Sequence, residues 1–150
     1  MKNSPIILAL DTPEVETAKH WIEATNSEIQ TYKVGLEFYL KHGSAGVQQL
    51  RSAGDFSLFL DLKLHDIPNT VSSAATSIQH IAPMFLTVHA SGGANMVNAA
   101  VKALPDVAIT AVTILTSLSD AQVLDIGYRT TALQMAVNLA RMAVSSGAKA

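Results

Sequence analysis

Short apolar runs alternate along the chain with longer stretches of helical periodicity. The runs cover residues 6–11, 31–36, 56–64, 84–90 and 108–116, and each reads as a strand. Between them lie helical patterns with recognisable ends. Thr12 followed by Pro13 reads as an N-cap and a first-turn proline. Gly54 suits the C-cap of the second helix. Val71, Ala74, Ala75 and Ile78 form an i, i+3, i+4, i+7 stripe on the third. Ser119 and Gln122 have capping-box spacing and open a short helix. The last helix carries Leu133, Ala136, Val137, Ala140 and Val144 on one face, with Gly147 beyond its end. Strand then helix, five times over, predicts parallel βα units.

The repeat is regular. Each predicted strand carries a polar residue near its C-terminal end: Asp11, Lys33, Asp61, His89 and Thr116. One unit takes about 26 residues, so eight would need about 210, the size of a (β/α)8 TIM barrel. The chain has 150 residues and holds about five of the eight units. No linker or low-complexity segment interrupts them, so 1–150 reads as one domain, incomplete as a barrel. The third strand favours a barrel over an open doubly wound sheet. Its even positions, Phe56, Leu58, Leu60, Leu62 and Leu64, are all apolar. Its odd positions include Asp61, Lys63 and His65. Side chains alternate across a strand, so one face is apolar and the other carries charge. An open parallel sheet is covered by helices on both faces and is usually apolar on both. In a barrel only the outer face meets helices, and the inner face turns polar at the mouth, where active sites lie.

Composition narrows the function classes. Hydrophobic residues make up 49% and charged residues 15%, which suits a domain with a large core. A net charge of -2 shows neither a nucleic-acid footprint nor a polybasic membrane patch. No apolar run approaches the ~18 residues of a membrane span, and the run at 6–10 is too short for a signal-peptide core. With no cysteine there is no disulfide framework and no thiolate metal site. A cytoplasmic location fits.

The candidate chemistry concentrates in LFLDLKLHDIPNTV, residues 58–71, where Asp61, Lys63 and Asp66 fall within six positions. Asp61 and Lys63 are i and i+2 on one strand and share a face. Asp66 lies just past its end. One reading is an ion pair on a solvated strand end. The other is a site: a lysine between two carboxylates can deliver a proton or stabilise a developing carbanion. Asp11 and Lys33 extend the cluster into a ring of strand tops, though each alone also reads as a solvated strand end. His89 reads first as a core or rim histidine, Thr116 as a hydrogen-bonding point, and the SGG at 91–93 first as a tight turn. His20, His42, His65 and His80 have no metal-ligand spacing. No Ser-His-Asp order, Walker loop or dinucleotide fingerprint occurs.

These strings resemble the orotidine 5'-phosphate decarboxylase family. The resemblance runs along all 150 residues and includes ALD at 9–11, YKVGLEFY at 32–39, TVHASGG at 87–93 and AVTILTSL at 111–118. The D-x-K-x-x-D core is shared with magnesium-dependent sugar-phosphate decarboxylases and aldolases of the wider superfamily. The DIPNT at 66–70 points to the orotidylate branch. The resemblance implies decarboxylation of orotidine 5'-phosphate to UMP in de novo pyrimidine biosynthesis, with no metal and no organic cofactor. It implies that Lys63 protonates C6 of the pyrimidine as carbon dioxide leaves, and that Asp61 sits against the substrate carboxylate. Asp11 and Lys33 would hold ribose hydroxyls, with Lys33 also buttressing Asp61. Thr116 would contact the pyrimidine. Asp66, with Thr70 beside it, would reach into the neighbouring active site of a homodimer. No nucleic-acid or membrane partner is implied.

The family's phosphate grip and lid belong to units six to eight, which the chain does not contain. The expectation is a truncated piece of a longer protein, nearly inactive on orotidylate by itself because remote phosphate binding drives chemistry at the base. A magnesium-dependent relative and an inactive barrel fragment remain the other readings.

Overall fold

The computed structural model describes residues 4–150. Its elements run β1 (Ile7–Ala9), α1 (Val15–Thr25), β2 (Thr31–Gly35), α2 (Leu36–Leu50), β3 (Ser57–Leu64), α3 (Pro68–Ser77), β4 (Phe85–His89), α4 (Ala94–Ala103), β5 (Ala108–Val112), α5 (Asp120–Asp125) and α6 (Ala132–Ser145). The strands form one sheet in the order β1-β2-β3-β4-β5. β1 pairs with β2, and β2 with β3, in parallel. Consecutive order settles the topology. A doubly wound sheet reverses direction at a switch point, whereas a TIM barrel adds each strand beside the last. The fold is α/β, five βα units in TIM-barrel order.

By its packing the chain divides into two compact units, Met1–Leu62 with Ser77–Leu86, and Lys63–Thr76 with Thr87–Ala150. In the first, the alternation expected of half-polar strands is plain. Tyr32 and Val34 of β2 and Leu58 and Leu60 of β3 are buried, while Lys33 and Asp61 stand on the other face. The buried face meets Ala18 and Ile22 of α1 and Phe38, Val47 and Leu50 of α2 in one apolar core. Each buried valine, leucine, isoleucine or phenylalanine side chain contributes about 1.5–3 kcal/mol relative to exposure. Tyr32 is fully buried, and its hydroxyl shares a 2.8 Å hydrogen bond with Thr25 Oγ1 at the end of α1. That partner is what permits a phenol in the core. The Arg51 guanidinium lies 4.3 Å from the centre of the Phe56 ring and also donates to the Phe56 carbonyl.

Thr12 does not cap a helix. Its hydroxyl accepts from the Glu14 amide at 3.2 Å, a turn that delays α1 to Val15. The Glu14 carboxyl makes a 2.8 Å hydrogen bond with Lys41 Nζ, and that bond and the lysine's charge hold it below its ordinary pKa.

In the second unit, Val71 and Ala75 of α3, Met96, Val97 and Ala100 of α4, Ile109 of β5 and Val123 of α5 are buried. Of the expected stripe on α3, Val71 and Ala75 are buried and Ala74 is half-buried; Ile78, past the helix end, is buried within the first unit. The capping box at Ser119 and Gln122 is formed. Two expectations need correction. β5 stops at Val112, so Thr116 lies in the turn beyond it. The face of α6 that carries Leu133, Ala136, Val137, Ala140 and Val144 is not its buried one: Leu133 is 77% and Val144 62% exposed, and Ala143 is the buried residue. The apolar residues of α6 spread over more than one face, so the run through Leu133, Val137, Ala140 and Val144 borders its polar stripe and lies on the solvent side. Gln134, Asn138, Arg141 and Ser145 of that stripe all face solvent. Gly147, at φ +101°, ends the helix in the left-handed conformation that glycine favours. The chain then runs beside β5, with Lys149 N–H donating to Ile109 and Ala111 N–H to Ala150.

Candidate active site

The first unit gathers three of the predicted residues. Lys33 Nζ lies 3.1 Å from Asp11 Oδ1 and 3.5 Å from Asp61 Oδ2. The strand register explains the meeting. Lys33 pairs with Ala9 of β1, two residues before Asp11, and Gly35 pairs with Asp61 of β3. Lys33 and Gly35 are i and i+2 on β2 and share a face. Gly35 brings no side chain to that face, so the lysine leans along the strand over it. A Cβ at position 35 would lie 3.5 Å from Lys33 Nζ and 3.7 Å from Asp11 Oδ1. The Asp61 side chain is only 13% exposed and that of Lys33 22%, whereas that of Asp11 is 69% exposed. The inner pair is therefore the better shielded from water. Two carboxylates on one ammonium leave this cluster formally negative.

The second unit holds Lys63, Asp66, Thr70 and Thr116. Lys63 has φ +51°, the left-handed region, inside a strand. For a residue with a Cβ this costs about 1–2 kcal/mol. The strict alternation used to place Asp61 and Lys63 on one face presumes extended backbone, and Lys63 departs from it. Its amide donates to the Thr87 hydroxyl at 2.8 Å. Asp66 is exposed in the loop before α3, where its Oδ1 accepts from the Ile67 amide at 2.7 Å. Thr70 is exposed in the first turn of α3, and Thr116 is exposed in its turn.

The histidines take separate roles. His42 stacks on Phe38 and bonds the Pro13 carbonyl at 2.7 Å. His80 bonds the Ser77 carbonyl. His65 and His89 contact each other with ring centres 5.3 Å apart and planes tilted by 43°, beside a cavity of about 140 Å³ also lined by Ser91, Thr113, Leu115 and Tyr128. Ala90–Gly92 form a short 3-10 turn, and Gly93 leads from it into α4. Among the described residues, no three His, Asp or Glu side chains converge so as to hold a metal ion, and no helix is long and apolar enough to cross a membrane.

A family model described as "Orotidine 5'-phosphate decarboxylase / HUMPS family" matches residues 4–150. The chain belongs to that family. It is 53% identical over 147 residues to the orotidine 5'-phosphate decarboxylase of Thermobifida fusca, a match covering 98% of this chain and 63% of that protein. A crystal structure of orotidine 5'-phosphate decarboxylase from Lactobacillus acidophilus superposes with a TM-score of 0.82 at 34% identity, over 97% of this chain and 69% of that one. An uncharacterised conserved protein from Geobacillus kaustophilus superposes with a TM-score of 0.89 at 32% identity, over 96% and 71%. The chain spans about three fifths of the length of the curated relatives it matches.

Membership in the orotidine 5'-phosphate decarboxylase family gives the Asp11–Lys33–Asp61 cluster its context: Lys33 and Asp61 stand within β2 and β3 on the face away from the apolar core, and Asp11 lies two residues past the end of β1, on the side where barrel enzymes carry their chemistry. Two features of the site escaped the sequence reading. Gly35 is visible there only as one more glycine, and Thr87 only as a polar interruption in FLTVH.

Proposed function

We propose that this chain carries the reacting groups of an orotidine 5'-phosphate decarboxylase, and that 1–150 is one set of five units of a single barrel domain. The observation that carries the reading is Lys33 held between Asp11 and Asp61, the charge pattern that the resemblance requires at the strand tops. In this reading Asp61 faces the substrate carboxylate. The bond from C6 to that carboxylate breaks, carbon dioxide leaves, and the electron pair remaining on C6 takes a proton from Lys63. Asp11 and Lys33 hold ribose hydroxyls, and Thr116 meets the pyrimidine. Asp66 and Thr70 serve the neighbouring site of a homodimer. The exposure of Asp66 and Thr70 leaves them available for that reach. The reaction uses no cofactor, and the protein works in the cytoplasm.

Electrostatic stabilisation of the developing charge is the principal source of rate, because fixed charges in a shielded site need no reorganisation. Proton delivery adds about 10²–10⁴-fold. The test is release of carbon dioxide from orotidine 5'-phosphate by a full-length protein that carries these 150 residues, with and without a chelator. Lys63→Ala should lower the rate by at least about 10²-fold, and chelation should leave it unchanged. An intact rate in Lys63→Ala would remove the proposed proton donor. A rate that collapses with chelator would favour a magnesium-dependent relative.

A further inference from the structure

We infer that Thr87 is a positioning residue for Lys63, an assignment that rests on the reading of Lys63 as proton donor. Lys63 adopts φ +51° at the penultimate position of the otherwise extended β3. That conformation is disfavoured for a residue with a Cβ, and persists only where the surroundings hold it. The holding group is identifiable. Thr87 Oγ1, on β4, accepts the Lys63 amide at 2.8 Å. Thr87 is 3% exposed, and only Thr12 joins it among the buried polar residues described.

The residue type at 87 carries the argument. Phe85, Leu86 and Val88 surround it in the strand, so a valine would match the shape and keep the run apolar. A buried hydroxyl has a desolvation cost unless it is hydrogen-bonded. Here it satisfies an amide that the kink has turned out of the regular ladder. The bond fixes the backbone from which the Lys63 side chain starts. The error allowed at the far end of that side chain is small, since a misplacement of about 1 Å costs on the order of 10²-fold in rate. Thr87 acts through Lys63 rather than on substrate.

The test compares Thr87→Val, which keeps shape and removes the acceptor, with Thr87→Ser, which keeps the acceptor. Hydrogen exchange of the Lys63 amide is followed by NMR in each. Decarboxylation kinetics are measured on the same variants and on Lys63→Ala, each in the full-length protein that carries these residues. Thr87→Val should speed Lys63 exchange at least about tenfold and lower kcat about 10- to 100-fold, with KM within about twofold. Thr87→Ser should restore both. Unchanged Lys63 exchange in folded Thr87→Val would overturn the inference. So would an unchanged kcat in Thr87→Val where Lys63→Ala is inactive. If Lys63→Ala keeps its rate, the reading of Lys63 as proton donor fails, and exchange alone still decides whether Thr87 holds the kink.

Discussion

Gly35 is extended, at φ -94°, so nothing in its backbone demands glycine. What demands it is the space above, occupied by the Lys33–Asp11 pair. A methyl group there makes ordinary van der Waals contact, but the γ-carbons of valine enter the volume of the ion pair. Gly35→Ala should therefore be close to neutral, whereas Gly35→Val should displace the ammonium and lower decarboxylation at least about tenfold while folding is retained, as checked by steady-state kinetics beside circular dichroism. At this scale Asp11, Lys33 and Asp61 were legible from spacing, because parallel register brings residues one βα unit apart side by side. The backbone angle of Lys63 was not legible. It depends on a hydroxyl 24 positions away.

α2 shows how an element can depart from its own propensities. In a regular helix, replacing glycine by alanine stabilises by about 1 kcal/mol, and β-carbons four apart stand roughly 5–6 Å from each other. α2 is kinked at Gly43, φ +59°, and the kink brings His42 down on Gly46. A Cβ at Gly46 would overlap that of His42 and come within 3.2 Å of the Phe38 ring. His42 has no freedom to retreat, being stacked on Phe38 and bonded to Pro13. Overpacking of this kind costs about 1–3 kcal/mol and outweighs the propensity gain. Gly46→Ala should thus be destabilising in chemical denaturation, against the usual sign. Element boundaries were the least legible feature. A hydroxyl turn moved the start of α1, and β5 ended four residues before Thr116, since apolar character continues past the last strand residue into the loop.

For the molecule as a whole, the same residue type has opposite consequences according to what packs on it. Leu60 of β3 is fully buried and Leu133 of α6 is 77% exposed. Leu60→Ala should cost about 2–5 kcal/mol, the transfer and cavity terms together. Leu133→Gln should change stability by no more than about 0.5 kcal/mol. Urea denaturation of both variants checks the contrast. Equal losses would mean that the α6 stripe is packed after all. The alternation of strands and helices, the apolar and charged faces of β3, and the grouping of Asp11, Lys33 and Asp61 from successive strands were legible in the sequence alone. Periods of 2 and 3.6 are local properties of the chain. Tertiary structure decided the rest. It ended β5 before Thr116, gave Gly35 its role beneath an ion pair, and bent the backbone at Lys63 onto Thr87. Each of these depends on a neighbour distant in sequence, and no local pattern encodes that neighbour's position.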